Sequence, residues 1–172
     1  MRALSPETII EVLTPDFNDS DASIDKVLEA KPQIFNHNLE TVRRLTPTVR
    51  SRATYDRSLS VLRKVKAKRG DEICTKSGLM LGLGETEPEL MTALGDLRRA
   101  GCNILTLGQY LQPTLKHLPV VEFVAPGRFN ELGEMAREMG FLHVASGPMV
   151  RSSYHADEVA LPGGAQSSSP IL

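Results

Sequence analysis

Little in this 172-residue chain points to metal, membrane or nucleic acid. Cysteine occurs twice, and Cys74 and Cys102 are too few and too far apart for a Cys-rich metal motif. In a reducing compartment they read as small apolar fillers. Charge of one sign is missing too. Twenty Lys and Arg face twenty-one Asp and Glu, a formal net charge of −1, which leaves no extended nucleic-acid or membrane footprint. Aromatic residues make up only 5%, so the basic run at residues 63–69 lacks interleaved stacking groups and reads as a solvated helix face. No apolar run is long enough to span a bilayer. The first residues, Met-Arg-Ala-Leu-Ser-Pro-Glu, lack the apolar core of a secretory signal, and their acidity argues against a transit peptide. A cytoplasmic protein is expected.

Apolar residues supply 41% of the chain, the ordinary globular range, and the length suits one domain with a sizeable core. Its organising stretch is residues 76–86, an apolar run closed by Gly82-Leu83-Gly84-Glu85-Thr86. Such a run reads as a strand buried on both faces. Thr86 and Glu89 then have capping-box spacing, and Leu90, Leu94 and Leu97 form one helical face that Gly101 ends. The next strand is expected over residues 104–107. This is a βαβ unit with glycines at the strand–helix junction, where backbone N–H groups can receive a polar ligand.

The rest of the chain repeats the pattern. Strands are expected over 8–13, 33–36 and 141–145, and helices over 20–30, 57–69 and 129–139. Polar groups gather where strands end: His37-Asn38-Leu39-Glu40-Thr41 after the second, and Gly108-Gln109-Tyr110 after the fourth. Asn38 has two readings, helix N-cap or ligand contact, and Glu40 likewise, as a first-turn carboxylate or a binding group. His37 reads as a hydrogen-bonded histidine. The low-complexity residues 157–172 read as a disordered tail behind a domain over 1–156. About five βα-type units of parallel sheet result, an α/β fold with its site at the strands' C-terminal ends.

Several stretches together resemble one family. They are Leu13-Thr14-Pro15-Asp16-Phe17, Asn36-His37-Asn38-Leu39-Glu40-Thr41, Thr75-Lys76-Ser77-Gly78-Leu79-Met80 through Thr86, Thr106-Leu107-Gly108-Gln109-Tyr110-Leu111-Gln112-Pro113, His117-Leu118-Pro119-Val120, Ser146-Gly147-Pro148, and Val150-Arg151-Ser152-Ser153-Tyr154-His155-Ala156. In that order they resemble lipoyl synthase, of the radical S-adenosylmethionine enzymes. The resemblance implies the C-terminal part of a partial (βα)6 TIM-type barrel. It implies insertion of two sulfur atoms into an octanoyl group carried on a lipoyl domain or carrier protein, with no nucleic-acid or membrane partner. One 4Fe-4S cluster would cleave S-adenosylmethionine to a hydrogen-abstracting radical, and a second would supply sulfur.

By resemblance Ser153 is the serine ligand of the second cluster, and Arg151 neutralises or orients that site. A serine oxygen is a harder ligand than a thiolate and leaves more readily. Position assigns Asn38 and Glu40 to the amino-acid or ribose portion of the cosubstrate, Gly82, Gly84 and Glu85 to backbone contacts with it, and Gln109 to a further polar contact. The family's two cysteine motifs, three thiols each, have no counterpart among the two cysteines here. A start placed downstream of the true one, or a genuine truncation, is expected, with no lipoyl synthase activity in this polypeptide alone. The alternatives are a non-catalytic remnant that binds S-adenosylmethionine or the acceptor, and an unrelated α/β enzyme that uses the Gly82/Gly84 turn for a phosphate.

Overall fold

The structure, a computed structural model, describes residues 8–152. Five strands form one sheet in sequential order, β1 (Glu11–Leu13), β2 (Ile34–Asn36), β3 (Cys74–Leu81), β4 (Ile104–Gln109) and β5 (His143–Ser146), every neighbouring pair parallel. Helices α1 (Asp21–Glu29), α3 (Tyr55–Arg69), α4 (Glu87–Arg99) and α5 (Pro126–Glu138) make the four crossovers, with a short α2 (Thr46–Val49) before α3. Sequential parallel strands without an order reversal are the arrangement of a TIM-type barrel wall rather than of a doubly wound sheet. Among the described residues no helix is long and apolar enough to cross a membrane.

Alternation along the strands separates two faces. Phe35, Leu79, Leu81, Leu105, Leu107 and Val144 pack under the helices, against Leu62, Leu94, Leu97 and Phe129 among others. The opposite face carries Ile34, Cys74 and Ile104 at one end, then polar and small residues toward the strands' C-terminal ends. There Lys76, only 1% exposed, pairs with Glu11 at 2.9 Å, and the Asn36 amide donates to the same carboxylate at 2.8 Å.

The helix ends follow the sequence closely. The Glu89 carboxylate accepts from the Thr86 N–H at 2.8 Å and from its hydroxyl at 3.0 Å, within the expected capping box. At the other end of α4, Gly101 N–H bonds Arg98 O and Cys102 N–H bonds Leu97 O, with Gly101 at φ +82°. That is a Schellman closure, in which glycine takes the left-handed position at no steric cost. Gly140 closes α5 in the same way, through Arg137 O and Ala136 O. The basic face of α3 is answered by acids rather than left open: Lys64 meets Asp19 and Asp21, and Lys68 meets Asp25.

Three expectations need correction. The first strand is shorter, at residues 11–13, and the last is shifted to residues 143–146, where Phe141 turns into the helix-side core before the strand begins. Helix α5 starts at Pro126 rather than 129, with proline at a position where its missing N–H costs nothing. No helix begins at Asn38, so its N-cap reading and the first-turn reading of Glu40 fail. Their backbone is held by the sheet instead: His37 N–H bonds Lys76 O, Glu40 N–H bonds Gly78 O, and Met80 N–H bonds Glu40 O. The proposed tail from 157 onward lies outside the described residues.

Candidate functional site

A cleft of about 200 Å³ opens at the C-terminal ends of β2, β3 and β4, lined by Asn38, Glu40, Gly78, Thr106, Gly108 and Arg151 among others. That is below the roughly 300–1,000 Å³ of a pocket that swallows a whole drug-sized ligand, so it suits one portion of a nucleoside-sized molecule. Its floor is made by register. Gly78 pairs with Thr106, and Met80 with Gly108, on the face away from the helices. A β-carbon on Gly78 would stand 2.6 Å from Thr106 Oγ1 and 3.2 Å from Asn38 Oδ1. One on Gly108 would stand 2.3 Å from the Val150 carbonyl oxygen and 3.4 Å from Arg151 Nη1. Both glycines are therefore required for the close approach of the segments that wall the cleft.

The wall above this floor is residues 37–41. Glu40 takes φ +71°, a left-handed conformation that a non-glycine residue adopts only when its surroundings insist. Its carboxyl is pushed above the ordinary carboxylate range by burial, opposed by a hydrogen bond from Asn38 and by the Arg50 charge. Asn38 Oδ1 is buried and has no hydrogen-bond partner. Arg50 Nη1 donates to the Asn38 carbonyl and to the Ser58 hydroxyl, both at 3.0 Å.

His37 lies 1% exposed, its Nδ1 2.9 Å from the Thr14 carbonyl oxygen. A carbonyl only accepts, so Nδ1 carries the proton and Nε2, buried and unpartnered, is the bare nitrogen. Burial drives this imidazole's pKa down, partly opposed by the Thr14 hydrogen bond.

Of the residues singled out from sequence, Asn38, Glu40, Gln109 and Arg151 come together at the cleft. Gly82, Gly84 and Glu85 do not. Their turn lies beyond the end of β3, and the Glu85 carboxylate accepts from the Gly82 and Leu83 N–H groups at 2.7 and 2.9 Å. Two of the amides expected to face a ligand are thereby taken from within. Gln109, though at the cleft, commits its side chain elsewhere. Nε2 donates to the carbonyls of Leu81, Tyr110 and Glu122 at 3.0–3.1 Å, and Oε1 accepts from Val124 N–H at 2.9 Å. Ser153 lies outside the described residues. Sequence reasoning missed Gly78, Gly108 and Thr106 as site residues. The signal for Gly78 was present, since a glycine inside an apolar strand marks a close approach. Nothing in the sequence flagged Arg50.

Comparison with known proteins decides the family. A lipoyl synthase of Flavobacterium psychrophilum is 53% identical over 158 residues, 92% of this chain and 54% of that protein. The chain belongs to the lipoyl synthase family. A lipoyl synthase 2 of Thermosynechococcus vestitus is 57% identical over 164 residues, and one of Gloeobacter violaceus 57% over 158, each matching 92% of this chain. No family model matches. The chain spans about half the length of the curated relatives it matches.

The iron–sulfur clusters implied by the family find no fit among the described residues. No group of three or more His, Cys, Asp or Glu able to hold a metal is present there. Cys102 is fully buried, its Sγ 3.3 Å from the Ile104 carbonyl, and burial pushes its thiol up to about 12. Cys74 is buried on the other face of the sheet, its thiol raised by the same cause. A thiol held protonated is a poor iron ligand.

Proposed function

We propose that this chain is part of a lipoyl synthase, a partial (βα)6 barrel, and that its cleft holds a portion of S-adenosylmethionine. The observation that carries this reading is Asn38 Oδ1, a buried acceptor without a partner beside the Glu40 carboxyl and above a floor that only glycine permits. A buried orphan acceptor is costly unless a ligand answers it, and ammonium and ribose hydroxyl groups are donors of the right kind. Asn38 and Glu40 are the residues that would hold those groups. Gly82, Gly84, Glu85 and Gln109 would act one step back, by shaping the loops behind the cleft. S-adenosylmethionine, when bound, supplies the hydrogen-abstracting chemistry of the family.

The reaction proposed for the whole enzyme is sulfur insertion into an octanoyl group on a lipoyl domain or carrier protein, in the cytoplasm. Arg151 stands at the cleft with its Nη1 on the Val150 carbonyl oxygen, and Ser153 keeps the iron-ligand role that resemblance gives it. With two buried thiols, these 172 residues by themselves are proposed to bind cosubstrate without inserting sulfur.

Calorimetric titration of the purified chain with S-adenosylmethionine tests the cleft. Binding is expected, weakened at least about tenfold by Asn38→Ala and by Glu40→Gln, which matches the loss of one or two hydrogen bonds to a charged or buried group. Undiminished binding in both variants, or none in the parent, would overturn the reading. Lipoyl product made from an octanoylated acceptor by the anaerobically reconstituted chain would overturn the binding-only role.

A further inference from the structure

The left-handed turn at Glu40 needs an explanation that the cleft itself does not supply. Strain of this kind persists only where neighbouring bonds over-determine the backbone. Two of those bonds come from β3, through Gly78 O and Met80 N–H. A third, Leu39 N–H to Ser77 Oγ at 3.1 Å, comes from the same strand. All three pull the segment toward the sheet. From the other side Leu39 packs among Tyr55, Leu59 and Leu62, and among the described residues Arg50 supplies the hydrogen bonds that reach the turn from the helix side.

Its Nη1 bridges the Asn38 carbonyl to Ser58, a wholly buried hydroxyl on α3, so the turn is tied to the helix layer as well as to the sheet. The guanidinium is also the one charge acting on both neighbouring titratable groups, lowering Glu40 and His37 alike.

We infer that Arg50, which does not line the cleft, is a positioning residue for the cosubstrate: it clamps the Asn38–Glu40 turn to α3 and sets how tightly the cleft binds. This rests on the reading of the cleft as the S-adenosylmethionine site. The groups facing the turn divide the work. Asn38 bonds the Glu40 carboxyl, and Arg151 stands at the cleft from the C-terminal segment. Asp16, from the loop after β1, acts on His37 and opposes Arg50 there. Arg50 is thus the charge that favours an ionised Glu40. Without it, burial prevails further and Glu40 ionises only at higher pH.

Two measurements on the full chain test this. The first follows the Glu40 carboxyl carbon by NMR between pH 4 and 9 without ligand, assigned by its loss in Glu40→Gln. The midpoint is expected to rise in Arg50→Ala and to return toward the parent value in Arg50→Lys, which restores charge. Ser58→Ala, which removes the tether and leaves the charge, is expected to leave the midpoint in place. The second titrates S-adenosylmethionine into the same variants across that range. Arg50→Ala is expected to bind about tenfold more weakly at neutral pH, with the acid limb of its binding profile displaced upward, whereas a loss of packing alone would lower affinity equally at every pH.

An unmoved Glu40 midpoint in Arg50→Ala overturns the inference whatever the ligand does. A parent chain that binds no S-adenosylmethionine overturns the cleft reading and the inference together. Parent-like binding by Arg50→Ala overturns the inference alone.

Discussion

Replacing Gln109 by leucine separates a residue that serves the fold from one that touches ligand. The amide is 5% exposed and satisfies four backbone groups, two of them in the loop before α5: the Glu122 carbonyl and the Val124 N–H. Leu81 O keeps a second donor, Tyr110 N–H at 2.8 Å, and suffers least. Gln109→Leu keeps volume and burial but leaves the two loop groups without partners. At about 1–3 kcal/mol for each stranded buried group, and with the loop partly able to rehydrate, the cost is about 2–4 kcal/mol. For a domain of this length each kcal/mol lowers Tm by about 2–4 °C, so a fall of roughly 5–15 °C is expected by calorimetry. Hydrogen exchange at Val124 should quicken by more than exchange in the core of β4. Gln109→Glu should be worse than leucine at neutral pH, because a carboxylate would face three carbonyl oxygens, and its penalty should shrink on acidification. A Tm within about 2 °C of the parent, with binding of S-adenosylmethionine lost, would refute this reasoning and make Gln109 a ligand contact.

Other perturbations follow from the same geometry. Gly78→Ala puts a methyl where Thr106 and Asn38 already meet, so binding of S-adenosylmethionine should fall at least about tenfold while overpacking costs only about 1–3 kcal/mol, read by titration and melting together. Lys76→Met strands the Glu11 carboxylate; since that group is 19% exposed the loss belongs near the lower end of about 3–5 kcal/mol, and Glu11→Gln added to it should restore much of the stability. The Glu89 carboxyl is held down at about 2 by the Arg44 guanidinium first and then by the Thr86 N–H. Its folded pKa lies below its unfolded value, so its contribution is present above about pH 4.5 and is lost as pH falls toward 2. Stability-against-pH curves of the parent and Glu89→Gln should therefore converge in acid, and parallel curves would contradict this assignment.

Local signals carried most of the fold. The capping box at Thr86 and Glu89 and the glycines closing α4 and α5 act within a few residues of one another, so their consequences are written in short stretches of sequence. The segment 37–41 is different. Its polar composition suits a helix start as well as a strand extension, and what decides between them is a set of partners on β3 some forty residues away. The same distance effect misleads at Gln109. A glutamine at the end of a buried strand looks like a ligand contact until Glu122 and Val124 return to occupy it. Asn38 and Glu40 were visible as a pair of candidates. Arg50, one arginine among several in a connection, gained meaning only once Ser58 and the Asn38 carbonyl were seen to share one of its nitrogens.

The two buried thiols give the chain a built-in clock for its own opening. Cys74 and Cys102 lie on opposite faces of the sheet, one in the cluster around Ile34 and Ile104, the other beneath the helices. Neither is a thiolate near neutral pH while folded, and each regains an ordinary reactivity once its shelter opens. An alkylating reagent applied under native conditions would thus count openings on each side of the sheet, one mass increment for each. Equal rates at the two cysteines would mark a single cooperative unfolding. A faster Cys74 would mean that the polar face, the one that bears the cleft, loosens while the helix layer holds.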